Sequence, residues 1–221
     1  MKRHFENELT YLKEAVLELS QEAEQAVREA ICAVGGADTE NARKIIDNDE
    51  QIDQKEIRIE EECLKILALH QPMAGDLRYI IALLKMNNEI ERIGDLAVNI
   101  AERVLNLAQV KAPEKNVIDF APMLEESRKM LHNSMKSLVD RDPQLAIEVI
   151  QQDDVVDEMH HVNFQKISEE LQKSPEYTNF YLSMLSVSRN LERMADCATN
   201  ICEDVIYLVQ GRIVRHCKNW T

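Results

Sequence analysis

A polar signature that occurs twice in the chain is the feature that most constrains its fold. Residues 88–103 read NEIERIGDLAVNIAER, and residues 189–204 read RNLERMADCATNICED, 101 positions later. Five polar side chains recur in register: Glu91 and Glu192, Arg92 and Arg193, Asp95 and Asp196, Asn99 and Asn200, and Glu102 and Glu203. A repeated core would keep its apolar residues best, whereas here the polar residues recur most faithfully. The sequence therefore predicts a duplicated domain in which each half carries a carboxylate-bearing site.

Long helices are the expected secondary structure. The 221 residues include only five glycines and five prolines, and the alternating apolar stretches that are typical of strands are absent. In the first helix, apolar residues recur at alternating spacings of four and three, which is typical of a helix-packing seam. The seam comprises Phe5, Leu9, Leu12, Val16, Leu19, Ala23, Ala26 and Ala30.

Turn signals divide the chain into two sets of three helices. Gly35-Gly36, Pro72, Pro143 and Pro175 each mark a break in the helical pattern. Asp38 or Thr39 is expected to cap the second helix, and Asp76 the third. We predict an all-α fold of two tandem, pseudo-symmetric antiparallel three-helix bundles. The predicted boundaries are residues 1–108 for the first bundle, 109–118 for a linker, 119–210 for the second bundle and 211–221 for a basic C-terminal tail.

Charge excludes several classes of partner. The net charge of −14 would repel a phosphate backbone, so nucleic acid is not expected as a partner, and an anionic membrane surface is disfavoured. No apolar run reaches 18 residues, and the N-terminal MKRHFENEL lacks the apolar core of a signal peptide. We therefore expect a cytoplasmic protein without membrane insertion. Five cysteines without a C-x-x-C pair indicate reduced thiols rather than a zinc site.

Paired carboxylates lie at matching heights on neighbouring helices. Glu91 and Asp95 are four residues apart, so both project from one helix face. Asp49 and Asp53 form a similar pair on the preceding helix, and both pairs lie roughly 25–30 Å from the intervening turn, at about 1.5 Å per residue. The second half repeats this arrangement with Asp153, Asp157, Glu192 and Asp196. The sequence thus predicts four level carboxylates in each bundle.

Spacing alone leaves two interpretations of these carboxylates equally open. They could bind a cation, in which case an all-carboxylate shell favours iron, manganese, magnesium or calcium. Alternatively, Arg92 and Arg193 could neutralise them in ordinary ion-pair networks. Further polar side chains on the same strip are candidates for peripheral contacts: Asn99, Glu102, Asn200 and Glu203.

Two histidines follow Asp157 and could reach a metal in the second bundle. His160 and His161 align with Glu56 and Ile57 in the first half, so a surface position is preferred for both. Glu158 and His161 form a single Glu-x-x-His motif. A carboxylate-bridged metal oxidase or metal store needs two such motifs facing inward, so that class is the weaker alternative. A helical adaptor that works without metal is a third possibility.

Residues across nearly the whole chain resemble the PhoU family of phosphate-transport accessory proteins and phosphate-uptake regulators. The resemblance is carried by QPMAGDLR at residues 71–78, by NEIERIGDLAVNI and NLERMADCATNI, and by GRIVRH at residues 211–216. It implies two three-helix bundles whose E(D)-x-x-x-D motifs bind multinuclear metal clusters, with iron or zinc as the metal. The implied ligands are Asp49, Asp53, Glu91 and Asp95 in the first repeat, and Asp153, Asp157, Glu192 and Asp196 in the second.

The resemblance also implies a regulatory function rather than an enzymatic one. Proteins of this family are cytoplasmic, often dimeric, and restrain phosphate uptake and the phosphate-starvation response when phosphate is plentiful. They are thought to link the ATPase subunit of a phosphate ABC transporter to a sensor histidine kinase. The turn KSPEYTN of the second half departs from QPMAGDLR, so the first-half turn is the better candidate for docking a partner.

Overall fold

Six long helices make up the protein in a computed structural model, which describes residues 2–212 and 214. Every regular element within these residues is helical, including a single 3-10 turn, Pro175–Tyr177, before the last helix. The helices are α1 Lys2–Gly36, α2 Thr39–His70, α3 Gly75–Leu107, α4 Ala121–Asp140, α5 Pro143–Lys173 and α6 Thr178–Gln210. The described part contains no helix with both the length and the apolar character that a bilayer span requires.

Local chemistry explains where the helices begin. The Asp38 side chain accepts a hydrogen bond from the backbone N–H of Asn41, as predicted for the cap of α2. Asp142 caps α5 in the same way, ahead of Pro143 at the first helical position. The prediction for α3 was wrong, because the helix begins at Gly75 and Asp76 lies inside its first turn. Ala74 takes the cap position without a side-chain hydrogen bond, at a positive φ of 50°.

The first bundle packs α1, α2 and α3 against one another. The predicted α1 seam enters its core, where Leu12, Val16 and Leu19 are fully buried. Towards the end of α1 the seam residues Ala23 and Ala30 are fully buried, whereas Ala26 is only partly covered and Val27 beside it is buried. Because the seam is used within the chain, self-association would have to use another surface.

The second bundle packs α4, α5 and α6, and α6 lies along α3 of the first bundle. A salt bridge of 2.9 Å joins Lys85 of α3 to Asp204 of α6, and Asp204 is only 3% exposed. A second contact joins α1 to α4, where Arg128 pairs with Glu24 at 2.7 Å. The bundles are thus packed side by side.

The exact domain limits remain a prediction. The structure places turns, bends and irregular backbone between α3 and α4, where the sequence predicts a linker at residues 109–118. Of the predicted tail, 211–221, only Gly211, Arg212 and Val214 belong to the described residues, and Val214 is buried. Cys63, Cys197 and Cys202 are buried free thiols and Cys32 is exposed, whereas Cys217 lies outside the described residues.

Candidate metal centres

The first carboxylate cluster forms where α2 crosses close to α3. Asp49 lies beside Gly94, since a Cβ placed on that glycine would be 3.5 Å from Asp49 Oδ1. The same Cβ would be only 3.1 Å from the Cγ2 atom of Ile52. The missing side chain at Gly94 therefore allows the close approach that brings Asp49 to the face carrying Glu91 and Asp95.

Electrostatic interactions show that the four carboxylates of the first cluster face one another. Burial raises the pKa of Asp49 to about 6, with further increases from Asp53 and Asp95. Burial also raises the pKa of Glu91 to about 7, and all three of the other carboxylates add to that shift. The cluster is thus a partly desolvated site in which negative charges repel one another.

Glu56 joins this cluster and was not predicted to do so. It lies two turns after Asp49 on α2 and raises the pKa of Glu91. Asn87 Nδ2 holds its carboxylate by a hydrogen bond of 2.8 Å to Oε1. The spacing of seven residues from Asp49 was a signal that could have identified it, because this spacing returns to the same helix face.

The second cluster, Asp153, Asp157, Glu192 and Asp196, contains the same residue types as the first, and burial and mutual repulsion raise pKa values there too. Burial raises the pKa of Asp153 to about 7, followed by repulsion from Asp157, Asp196, Asp154 and Glu192. The Oδ1 atom of Asp153 is buried and has no hydrogen-bond partner within the described residues. A buried carboxylate oxygen without a donor is costly. A bound cation would satisfy it.

The arginines do not neutralise the clusters. Burial raises the pKa of Asp95 even though Arg193 and Arg92 act in the opposite direction. Asp196 behaves in the same way. The only salt bridge of Arg92 in the described part of the chain is to Glu89, at 2.9 Å, outside the two sets of four carboxylates. Ordinary ion pairing therefore leaves excess negative charge in both clusters.

The predicted peripheral residues lie away from the carboxylates or between the bundles. Asn200 Nδ2 donates to Glu89 Oε2 at 3.1 Å across the α3–α6 contact. Asn99 lines a small pocket at the same contact. Glu102 pairs with Arg103 at 3.3 Å, and Glu203 is half-buried on α6.

The two histidines have different environments. His160 is half-buried, and its Nδ1 lies 2.9 Å from Ser188 Oγ. Burial lowers its pKa, although Asp157 acts to raise it. His160 is thus partly covered at the surface of the second bundle. His161 is exposed and contacts Gln165 at 2.7 Å, so the Glu158–His161 motif does not enter the bundle interior.

The donor chemistry fits a metal ion, but a ready coordination shell is not formed. Carboxylate oxygens are the ligands that hard and borderline cations prefer, and both clusters hold uncompensated charge. Within residues 2–212 and 214, no group of three or more His, Cys, Asp or Glu side chains is placed so that it could hold a metal ion. A metal would thus have to draw the carboxylates together by side-chain rotation. The ligand assignment remains a proposal.

Fold and site together define an all-helical protein with two repeated bundles, each bearing a carboxylate-rich face. The PhoU domain family model matches residues 16–104 and 120–205, one match for each bundle. Since these matches cover most of the chain, the protein belongs to the PhoU domain family.

Relatives and solved structures agree with this assignment. The chain is 34% identical over 209 residues to the phosphate-specific transport system accessory protein PhoU homolog 1 of Thermotoga maritima, covering 95% of this chain and 90% of the relative. It is 36% identical over 209 residues to the PhoU homolog of Aquifex aeolicus, covering 95% and 94%. The crystal structure of PhoU from Pseudomonas aeruginosa matches with a TM-score of 0.88 at 33% identity, covering 94% of this chain and all of that one.

Proposed function

We propose that the protein is a non-enzymatic regulator of phosphate uptake and of the phosphate-starvation response. The observation that carries this proposal is the match of both bundles to the PhoU domain. Relatives that align with nearly the whole chain are named as accessory proteins of phosphate-specific transport systems. An accessory protein acts by binding partners, and long acidic helical faces suit that task.

The partners we propose are the ATPase subunit of a phosphate ABC transporter and a sensor histidine kinase. The protein would restrain uptake when phosphate is plentiful, and it would act in the cytoplasm as a homodimer. The turn between α2 and α3 supports a docking role because apolar side chains are exposed there. Met73 in the turn is 80% exposed, and Leu69 in the last turn of α2 is 67% exposed. In the second bundle, the corresponding turn is a 3-10 segment in which Tyr177 is half-buried.

Metal binding at the two clusters is the second part of the proposal. Four carboxylates in each bundle would hold one or more cations, with iron and zinc as the metals suggested by family resemblance. When bound, the metal would supply positive charge and bridge adjacent helices, α2 to α3 and α5 to α6. The chain itself contributes the oxygen ligands and the partly desolvated setting that strengthens their attraction for a cation.

Co-purification tests the regulatory proposal. Tagged protein recovered from phosphate-replete cells is expected to carry the transporter ATPase and the sensor kinase. A variant with Met73→Asp in the exposed α2–α3 turn should lose one or both partners. Glu176→Lys, in the exposed turn of the second bundle, serves as the control and should retain them. Repeated absence of both partners from the unsubstituted protein would refute the regulatory assignment.

A metal-independent adaptor is the competing function, and the lack of a ready coordination shell favours it. Alanine substitution of four carboxylates separates the two: Glu91, Asp95, Glu192 and Asp196. We expect this variant to lose bound metal and to bind its partners more weakly. Unchanged metal content would refute the ligand assignment. Loss of metal with full partner binding would show that regulation does not require it.

A further inference from the structure

A groove of about 380 Å³ lies between α1 and α2 and reaches down to Gly94 of α3. Sites for small molecules have volumes of roughly 300–1,000 Å³, so the groove is large enough for one. It exists because Ala26 of α1 and Gly94 present little or no side chain there. Ile45 and Ile52 of α2, which are both buried, complete its floor. The groove therefore offers apolar contact to a ligand.

The walls of this groove carry acidic and amide side chains. Glu18, Glu22 and Glu29 follow one face of α1, at spacings of four and seven residues. Asp49 lies on the opposite wall, which α2 forms. None of the described residues that line the groove is a lysine, an arginine or a histidine. The charge on its walls is thus entirely negative.

A lysine of the protein itself shows which chemical group these walls bind. Lys55 of α2 extends towards α1, and its Nζ atom lies 2.7 Å from Glu18 Oε1 and 2.5 Å from Glu22 Oε1. The two glutamates are therefore partly neutralised at this end of the groove. Since the lysine side chain is an ammonium group on an aliphatic chain, the same chemistry in a ligand would suit the rest of the groove.

The acidic groups at the other end of the groove have no such partner. Glu29 is half-buried and accepts a hydrogen bond from the neutral side chain of Gln25. Arg28 donates to Gln25 Oε1 rather than to Glu29. Within residues 2–212 and 214, neither Glu29 nor Asp49 forms a salt bridge. Because these carboxylates lie beside an apolar floor, an organic cation suits them better than a small inorganic ion, which gives up its water reluctantly.

We propose that the groove between α1 and α2 binds a linear aliphatic polyamine. One ammonium group pairs with Glu29, the methylene chain lies on Ala26 and Ile52, and a second ammonium group pairs with Glu22. Lys55 uses only Oε1 of Glu22, so Oε2 remains available as an acceptor. Glu22 and Glu29 are seven residues apart, or about 10 Å along the helix, a distance that an extended triamine such as spermidine spans. The inference depends neither on metal nor on the partners proposed above.

Isothermal titration of spermidine into the full chain tests this proposal. The protein is first stripped of metal with a chelator and dialysed, and we expect saturable binding at one site. Glu29→Gln should weaken binding by about tenfold or more, as for the loss of a charged hydrogen bond. Glu14→Gln is the matched control, because Glu14 is an exposed glutamate of α1 that does not line the groove. This control should change the affinity by no more than about twofold, since salt screens distant charges.

A substitution that leaves the charge unchanged tests the apolar floor. Ala26→Leu places a larger side chain in the groove and should weaken spermidine binding at least as much as Glu29→Gln. Circular dichroism establishes that each variant is folded. Unchanged affinity in a folded Ala26→Leu variant would overturn the proposal.

The remaining outcomes also decide the proposal. Absence of spermidine binding to the unsubstituted protein would overturn it. Equal losses in Glu29→Gln and Glu14→Gln would show diffuse attraction to an acidic surface, which likewise overturns it. Because metal is removed beforehand and no partner is present, failure here leaves the regulatory and metal proposals to their own tests.

Discussion

At the scale of single residues, desolvation and repulsion give the cluster carboxylates their properties. Asp49, Glu91 and Asp153 have pKa values raised to about 6, 7 and 7, and burial is the first cause in each. These groups destabilise the fold when they ionise. Functional sites commonly combine such unfavourable features, because a ligand that relieves them binds more tightly.

Asp153→Asn is expected to stabilise the metal-free protein. The substitution keeps the shape of the side chain and removes a charge that Asp157 and Asp196 repel. Solvent screening limits the gain to about 1 kcal/mol, or about 2–4 °C in melting temperature at neutral pH for a chain of this size. Calorimetry in chelator measures it. Asp154→Asn changes an exposed neighbour and should give a smaller effect, so equal gains would argue against burial as the cause.

Gly94 decides how closely α2 approaches α3. Its position in the second repeat is taken by Ala195, which is fully buried, so a Cβ is accommodated there but meets Ile52 here. Glycine within a helix costs roughly 1 kcal/mol relative to alanine. The close contact between α2 and α3 beside Asp49 explains why a glycine stands at position 94 despite this cost.

Gly94→Leu is therefore expected to push α2 away from α3. Overpacking of this kind costs about 1–3 kcal/mol in the free energy of unfolding, and it should also weaken metal binding at the first cluster. Denaturant unfolding and metal titration measure the two effects. Leu64→Ala on the exposed face of α2 is a control that should preserve metal binding. Full metal affinity in Gly94→Leu would show that the close approach is not required.

At the scale of elements, α3 and α6 connect the two halves. The partly exposed Lys85 forms a salt bridge to the buried Asp204, and the Lys85 ammonium also lies 5.2 Å from the centre of the Tyr207 ring. On the next turn, Glu89 accepts a hydrogen bond from Asn200. These contacts fix the relative position of the helices that carry Arg92 and Arg193.

Lys85→Ala is expected to destabilise the protein by about 1–3 kcal/mol, because Asp204 loses this cation in a buried setting. Chemical denaturation measures the change. The exposed pair Lys129 and Glu126 on α4 provides a comparison, and Lys129→Ala should change stability by no more than about 0.5 kcal/mol. Similar effects of the two substitutions would contradict a special role for the inter-bundle pair.

At the scale of the whole molecule, the net negative charge opposes folding and favours the binding of cations. The net charge is −14, and the two clusters concentrate part of it on partly desolvated faces. A bound cation would offset part of this charge. Metal should consequently alter how stability depends on pH.

The metal-free protein is expected to lose stability as pH rises from about 4 to above 7. The folded-state pKa values of Asp49, Glu91 and Asp153 lie above their ordinary values, so their contribution is greatest below about pH 4 and is lost through about pH 6–7. Melting temperatures across this pH range, with chelator or with saturating metal, measure how stability depends on pH. Metal should reverse the slope. Identical profiles with and without metal would argue against binding at the clusters.

Much of the fold was predictable because its determinants are local. Helical periodicity, capping by Asp38, and the turns near Pro72, Pro143 and Pro175 act within a few residues. The paired carboxylates were likewise predictable as level groups, since the rise per residue of a helix is constant. The predicted cap of α3 was wrong because Ala74 takes the cap position at a positive φ, and no pattern of side chains in the sequence indicates that conformation.

The sequence by itself determined the duplication, the six helices and the carboxylates of each bundle, because each depends on spacing along one helix or on the lengths of adjacent helices. Only the tertiary structure placed α3 against α6, and with it Arg92 beside Asp196 and Arg193 beside Asp95. It also revealed Glu56 at the first cluster and the close contact at Gly94. These features depend on how helix faces pack over long separations in the chain, which helical periodicity does not specify.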